Sequence, residues 1–249
     1  GRHYYVSASR VGQGEGSLLL LQDDTADHEA EEGRRQFTAN VSHELRTPLT
    51  TISGYAELLE NHLAASPEDE EKFLSLIRKE AGRMLSLVED ILRLSQLDEG
   101  SLELKPQPVD VKRMAEDTAA ALAAKAESRD VRLSVSGHAP EVTTDATLLS
   151  EVLYNLLDNA IKYNRPGGQA EILLDDVNGH VRIRVKDTGI GIPKEHQQKV
   201  FERFYRVDKS RSKATGGTGL GLSIVKHAAQ ILSADLRLDS TPNQGTTVT

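Results

Sequence analysis

The chain has 249 residues, a formal net charge of −8, no cysteine, no tryptophan and few aromatics. That length accommodates one or two ordinary domains with real cores. The acidity argues against a nucleic-acid partner, which demands a basic face. Zero cysteines exclude disulfides and thiolate metal sites and suit a reducing cytoplasm. No apolar run approaches the roughly eighteen residues of a membrane span, Leu18–Leu21 being far too short. The chain opens Gly1-Arg2-His3 without a signal peptide, and reads as a soluble fragment of something longer.

Residues 3–9 and 17–22 read as two β-strands around a glycine-rich VGQGEG turn. Two strands alone are marginal, so they should belong to a larger sheet. Asp23-Asp24-Thr25 then opens an acidic helical stretch, with Asp or Thr suited to cap it. A first helix is expected from about Thr25 to Ala64. Its stripe is Phe37, Val41, Leu45, Leu49, Ile52, Ala56, Leu59 and Leu63, at steps of three and four. His43 follows Val41 by two residues, about 200° round the wheel, and so points away from that stripe. A lone histidine is usually structural; here the phasing exposes it.

An imidazole in water titrates near 6.5, so at neutral pH one ring nitrogen carries a free lone pair. Glu44 can accept the Nδ1 proton's hydrogen bond and leave Nε2 as nucleophile. Thr47 lies one turn on, on the same face. Pro48 removes the donor that would meet the Glu44 carbonyl, at a cost of about 3 kcal/mol inside a helix, and reads as a hinge.

Ser66-Pro67-Glu68 starts a second helix with Phe73, Ile77, Ala81, Met84, Val88, Ile91 and Leu94 on one face. A lone helical hairpin leaves much of both stripes in water. Two copies pairing as a four-helix bundle would cover them, so a homodimer is expected; packing on the next domain is the alternative. Gly100 to Asp110 is a turn-rich joint around a short strand. Beyond it the pattern gives helices near 111–127, 145–163 and 219–232. Strands are expected near 130–135, 169–176, 179–187, 234–239 and 245–249. Without regular βαβ crossovers this suggests an α+β two-layer sandwich.

Four stretches in that half carry chemistry. EVLYNLLDNAIKYN sets Asn155 and Asn159 four apart on one helix face, with Lys162 a turn further on. Amide oxygens are hard ligands suited to Mg²⁺, and an ammonium suits phosphate. KDTGIGIP presents the Asp187 carboxylate beside Gly189 and Gly191, which let backbone approach a ligand. FERFYRV places Phe201 and Phe204 three apart, as core plugs or loop anchors, with Arg203 and Arg206 beside them. GGTGLGLSIV is a glycine-rich loop opening a helix, an arrangement that favours phosphate. Each alone is weak, since a solvated polar face or a glycine turn accounts for it.

FTANVSHELRTPLT at 37–50 resembles the phospho-acceptor box of sensor histidine kinases of two-component systems. The four later stretches resemble that family's N, G1, F and G2 boxes, in the family order. The resemblance implies a helical-hairpin dimerisation domain followed by a Bergerat-type ATP-binding sandwich, with domains at 25–99 and 100–249. Residues 1–24 resemble the final hairpin and Asp-x-Thr exit of a PAS sensor domain, an unrelated linker hairpin being the alternative. By the same resemblance Asn155 and Asn159 bind Mg²⁺ with ATP, Lys162 and Arg206 contact phosphates, and Tyr163 lines the adenine pocket. Asp187 would bind the adenine amine, while Gly189, Gly191, Gly217, Thr218, Gly219, Leu220 and Gly221 shape pocket and lid. The lid would be residues 193–217, with Lys209, Ser210, Arg211, Ser212, Lys213 and Ala214 as mobile loop.

The implied activity is autophosphorylation of His43 and transfer to an aspartate of a response-regulator receiver domain. Glu44 polarises the imidazole, and the Glu44-x-x-Thr47 pattern implies phosphatase activity toward that regulator. The ATPases of this superfamily carry a water-activating glutamate where this chain has Asn155, and an amide cannot act as a base. The alternatives are an ATPase driving conformational work and a scaffold that binds a receiver without phosphorylating it. A homodimer is implied, and the resemblance further implies a cytoplasmic portion of a protein anchored in the bacterial plasma membrane, its transmembrane or sensor region lying upstream.

Overall fold

The computed structural model describes residues 2–11, 16–98, 103–208 and 217–249. The tip of the VGQGEG turn, the first residues of the Gly100 joint and the expected lid residues Lys209 to Ala214 lie outside them. The chain divides into two compact units, residues 1–81 and 82–249.

The first unit opens with an antiparallel hairpin of β1 (Tyr4–Val11) and β2 (Gly16–Asp23). Tyr4, Tyr5, Val6 and Leu18 to Leu21 are all exposed, so the ribbon buries neither face. The exit is fixed by Asp23 and Thr25. The Thr25 N–H donates to Asp23 Oδ1 at 3.1 Å, and the His3 N–H donates to Thr25 Oγ1 at 2.8 Å. The hydrogen bond from the Thr25 hydroxyl holds the Asp23 carboxyl below the usual range. Helix α1 then runs Thr25–Glu60. A short turn with His62 at φ +52° leads to α2 (Pro67–Asp98). Pro67 takes the first helical position, Ser66 Oγ accepts from the Asp69 N–H at 3.2 Å, and Glu68, Asp69 and Glu70 favour the dipole's positive end. Tyr55 and Phe73 rings meet at 5.2 Å across the helical hairpin.

The second unit begins inside α2. Its remaining elements are β3 (Pro106–Val109), α3 (Val111–Glu127), β4 (Val131–Gly137), β5 (Val142–Asp145) and α4 (Ala146–Lys162). Then come β6 (Gly168–Val177), β7 (His180–Asp187), α5 (Gly221–Ile231), β8 (Leu238–Thr241) and β9 (Gly245–Val248). Five strands form one sheet in the order β4-β6-β7-β9-β8, with β4–β6 parallel and every other pair antiparallel. The three helices line one face. Ala170, Ile172 and Leu174 of β6 alternate inward to meet Leu153, Leu157 and Ile161 of α4, which pack with Val111, Ala115 and Leu122 of α3. On other rows of the sheet, Asp175 pairs with Arg182 and Arg184, and Ser136 donates to Glu171.

The α+β reading holds, with two differences. The sequence reading lacks β5, a four-residue strand of only modest apolarity that pairs with β3 apart from the main sheet. Strand β8 starts at Leu238, because residues 232–237 form a turn at Ser233 (φ +53°) and a loop first. Asp145 ends β5 and caps α4. It accepts from the Leu148 and Lys105 N–H groups, each at 3.0 Å, and those bonds hold its carboxyl below the usual range.

Candidate active site

Two sets of residues carry chemistry, one in each unit. In the first, His43 is exposed on α1, as its phase predicts. The helix continues unbroken through Pro48, which is fully buried. Hydroxyls return to carbonyls one turn back along this stretch: Ser42 to Thr38, Thr47 to His43 at 3.3 Å, Thr50 to Arg46 and Thr51 to Thr47. Such back-bonding tends to bend helices, and it surrounds the one residue that cannot donate. The Thr47 hydroxyl hydrogen is therefore engaged, while its oxygen keeps accepting capacity.

In the second unit the structure brings the other predicted residues to one end of α4. The Asn155 amide nitrogen donates to the Glu151 carbonyl at 3.0 Å, leaving Oδ1 as its outward atom. A Cβ on Gly221 would lie 2.8 Å from that oxygen and 3.8 Å from Asn159 Nδ2, so the start of α5 closes on both amides only because it is glycine. Lys162 carries an ion pair within α4. Its Nζ is 2.6 Å from Asp158 Oδ2, and Asp158, buried, also pairs with Lys125 of α3. The sequence reading passed over Asp158, although an acid four residues before a lysine is the usual helical pair.

The glycine-rich loops meet the same helix. A Cβ on Gly217 would sit 2.9 Å from the Tyr163 hydroxyl. Gly219, at φ +78°, accepts from the Phe204 N–H at 2.9 Å, and Arg206 Nη2 donates to the Thr218 carbonyl at 2.8 Å. Those bonds stitch the FERFYRV segment to the loop. Leu220 is fully buried beneath it. Arg203 is turned elsewhere, donating to Asp98 of α2 at 2.6 Å. The second half of α2 also reaches the site. The Thr218 hydroxyl donates to Asp90 at 2.7 Å, and Arg93 Nε donates to both Glu151 oxygens at 2.9 and 2.7 Å. Burial raises the Asp90 carboxyl, opposed by the Thr218 hydroxyl and Lys162; burial likewise raises Glu151 against Arg93.

Asp187 ends β7 in the same unit. Its Oδ1 accepts from the Gly189 N–H at 2.7 Å and the Thr246 N–H at 3.2 Å. Burial nonetheless pushes its pKa up to about 6, outweighing those two donors. A Cβ on Gly189 would come within 2.3 Å of the Tyr163 carbonyl, and Gly191 takes φ +66° against Thr241. Among the described residues no cluster of His, Cys, Asp or Glu could hold a metal, so a cation here would rest on amide oxygens. Among the described residues no helix is long and apolar enough to cross a membrane.

Comparison with known proteins bears on both sets. Residues 33–100 match the His Kinase A (phospho-acceptor) domain, and residues 144–249 match the Histidine kinase-, DNA gyrase B-, and HSP90-like ATPase family. Over 99% of its length the chain is 36% identical to the sensor histidine kinase WalK of Bacillus subtilis, spanning 41% of that protein. Among solved structures, the full-length ShkA in complex with AMPPNP is 29% identical at a TM-score of 0.62, over 86% of this chain and 44% of that one. Histidine kinase ThkA, solved with the response regulator protein TrrA, shares the fold at a TM-score of 0.68 and 23% identity, over 98% of this chain and 77% of its own. The chain thus spans about two fifths of its WalK relative and carries both modules, the phospho-acceptor match preceding the ATPase match. It belongs to the sensor histidine kinases of two-component systems.

Proposed function

We propose that the chain transfers the γ-phosphoryl group of ATP to His43, then passes it to an aspartate of a response-regulator receiver domain. The observation that carries this is the presence in one chain of the exposed His43 on α1 and of a glycine-shaped pocket around Asn155, Asn159 and Asp187. The Nε2 lone pair of His43 forms the bond to phosphorus while the bond to the β,γ-bridging oxygen breaks. ADP leaves with that electron pair, and Glu44 takes or holds the Nδ1 proton. Arg206 and Lys162 serve the phosphates, with Lys162 poised by Asp158. Tyr163 lines the adenine pocket, and Asp187 accepts from the adenine amine.

Mg²⁺ fits the amide donors. Asn155 turns Oδ1 outward because its nitrogen is engaged, and Asn159 lies beside the same glycine. Held there, the ion would supply charge neutralisation at the β- and γ-phosphates. Hydrolysis is disfavoured, since the position a base would take is Asn155, and Glu151 one turn back is engaged by Arg93.

The active species is a homodimer. Leu49, Leu63 and Leu74 each leave more than half their surface in water on the hairpin, an area a second copy covers. The ThkA complex with TrrA supports a receiver partner. Residues 1–24 form the end of a PAS-like domain, 25–99 the dimerisation and phosphotransfer domain, and 100–249 the ATP-binding domain, within a longer membrane-anchored protein. Glu44 and Thr47 also support phosphatase activity toward the regulator.

Incubation with γ-labelled ATP and a panel of receiver domains tests the proposal. The expected label is lost in acid, survives base and moves to a receiver. Acid-stable label, or none despite measurable ATP binding, overturns it.

A further inference from the structure

Arg165 is a charged residue whose guanidinium, among the described residues, bonds to neutral backbone carbonyls. It follows α4 and is set by its own N–H donating to Asn164 Oδ1 at 3.0 Å. Asn164 in turn donates to the Ala160 and Gln169 carbonyls. From there the guanidinium spans two loops. Nε donates to the Thr188 carbonyl and Nη2 to the Gly189 carbonyl, each at 3.2 Å, and Nη2 also donates to the Asn243 carbonyl. Asn243 closes the β8–β9 turn, donating its N–H to the Ile190 carbonyl at 2.8 Å.

Those two loops are the ones that hold Asp187. The Gly189 N–H comes from the first and the Thr246 N–H from the strand that follows the second, and both meet Oδ1. Fixing the two loops against each other therefore fixes the direction in which the carboxylate presents its remaining lone pairs. A planar fork with several donors can satisfy three carbonyls at once, whereas a lysine ammonium is a point charge on a flexible stem.

We propose that Arg165 is a positioning residue for purine recognition: without touching the nucleotide, it clamps the Thr188–Gly189 turn to the Asn243 turn so that Asp187 faces the adenine amine. The proposal rests on the reading of Asp187 given above.

Calorimetry with ATP and with purine riboside triphosphate, which lacks the amine, separates the possibilities. The wild type should prefer ATP at least tenfold, and Asp187→Asn should abolish that preference. Arg165→Met should weaken ATP about tenfold while the analogue stays within twofold. Should the methionine variant fail to fold, Arg165→Lys carries the comparison, with a loss of preference of about threefold. No preference in the wild type, or a full preference in Asp187→Asn, defeats the Asp187 reading and this proposal with it. Loss of preference in Asp187→Asn but its full retention in the Arg165 variants defeats the Arg165 proposal alone. Equal weakening of both nucleotides in those variants reduces Arg165 to a structural tie and also overturns it.

Discussion

The proposed acceptor helix and the proposed nucleotide pocket solve opposite problems. On α1 the proposed acceptor is displayed: His43 stands in water, where its phase on the helix puts it. In the second unit the residues proposed to hold the nucleotide are half-buried, drawn from α4, the end of β7 and the loop into α5, with Asp187 and Thr218 tied to other segments. A displayed nucleophile tolerates change around it and stays reachable for two different partners in turn. An enclosed pocket gains its selectivity from convergence and is fragile to any one tie.

That contrast has graded consequences. The largest effect belongs to His43→Gln, which should abolish autophosphorylation while ATP affinity stays within twofold. Label persisting in this variant would show that the displayed residue is not the acceptor. Asn159→Ala should raise the Kd for Mg²⁺-ATP at least tenfold, about 1.4 kcal/mol, and unchanged magnesium-dependent affinity in calorimetry would remove its role. Thr47→Ala should keep autophosphorylation and transfer near wild type yet slow loss of phosphate from the regulator about tenfold, again about 1.4 kcal/mol of barrier. The Thr47 hydroxyl already donates to the His43 carbonyl, so a purely helical role predicts parallel decline of both rates.

pH should act on the pocket through Asp187. With its pKa near 6, the carboxylate is mostly ionised at pH 7 and mostly protonated at pH 5. The preference for ATP over the amine-free analogue should therefore fall about tenfold between those values, the phosphates of both nucleotides titrating alike. The stability sign runs the other way. A carboxyl raised in the folded state favours folding most in acid, and that contribution is lost as pH rises through about 6. The smallest effect is Asp145→Ala, which removes the α4 cap and the Lys105 tie and should cost about 1 kcal/mol, read as a lower Tm.

What the sequence disclosed follows the same division. The exposure of His43 was readable because a helix of 36 residues carries its own coordinate system, fixed at 3.6 residues per turn. The α4 asparagines were readable for the same reason. Arg165 was not, because its partners Gly189 and Asn243 are distant in sequence and offer only backbone carbonyls, which carry no residue signature. Nor was the role of α2 beside the pocket, since Asp90 and Arg93 look like any solvated helix face until Thr218 and Glu151 meet them. Strand β5 escaped because four residues are too few for alternation to register.

The parallel pairing of β4 with β6 sets the order in which the second unit can be made. Antiparallel neighbours such as β6 and β7 can zip across a two-residue turn, but β4 must wait for α4 to be built and for β6 to return alongside it. On a ribosome adding about 5–20 residues per second, the 47 residues from Val131 to Val177 take a few seconds to appear. For that interval the edge of β4, with Val131, Leu133 and Val135, has no partner strand. The helix proposed to hold the nucleotide is thus also the bridge on which the nascent sheet depends. Arrest just after Lys162 would leave β4 without the β6 edge that it pairs with in the folded sheet.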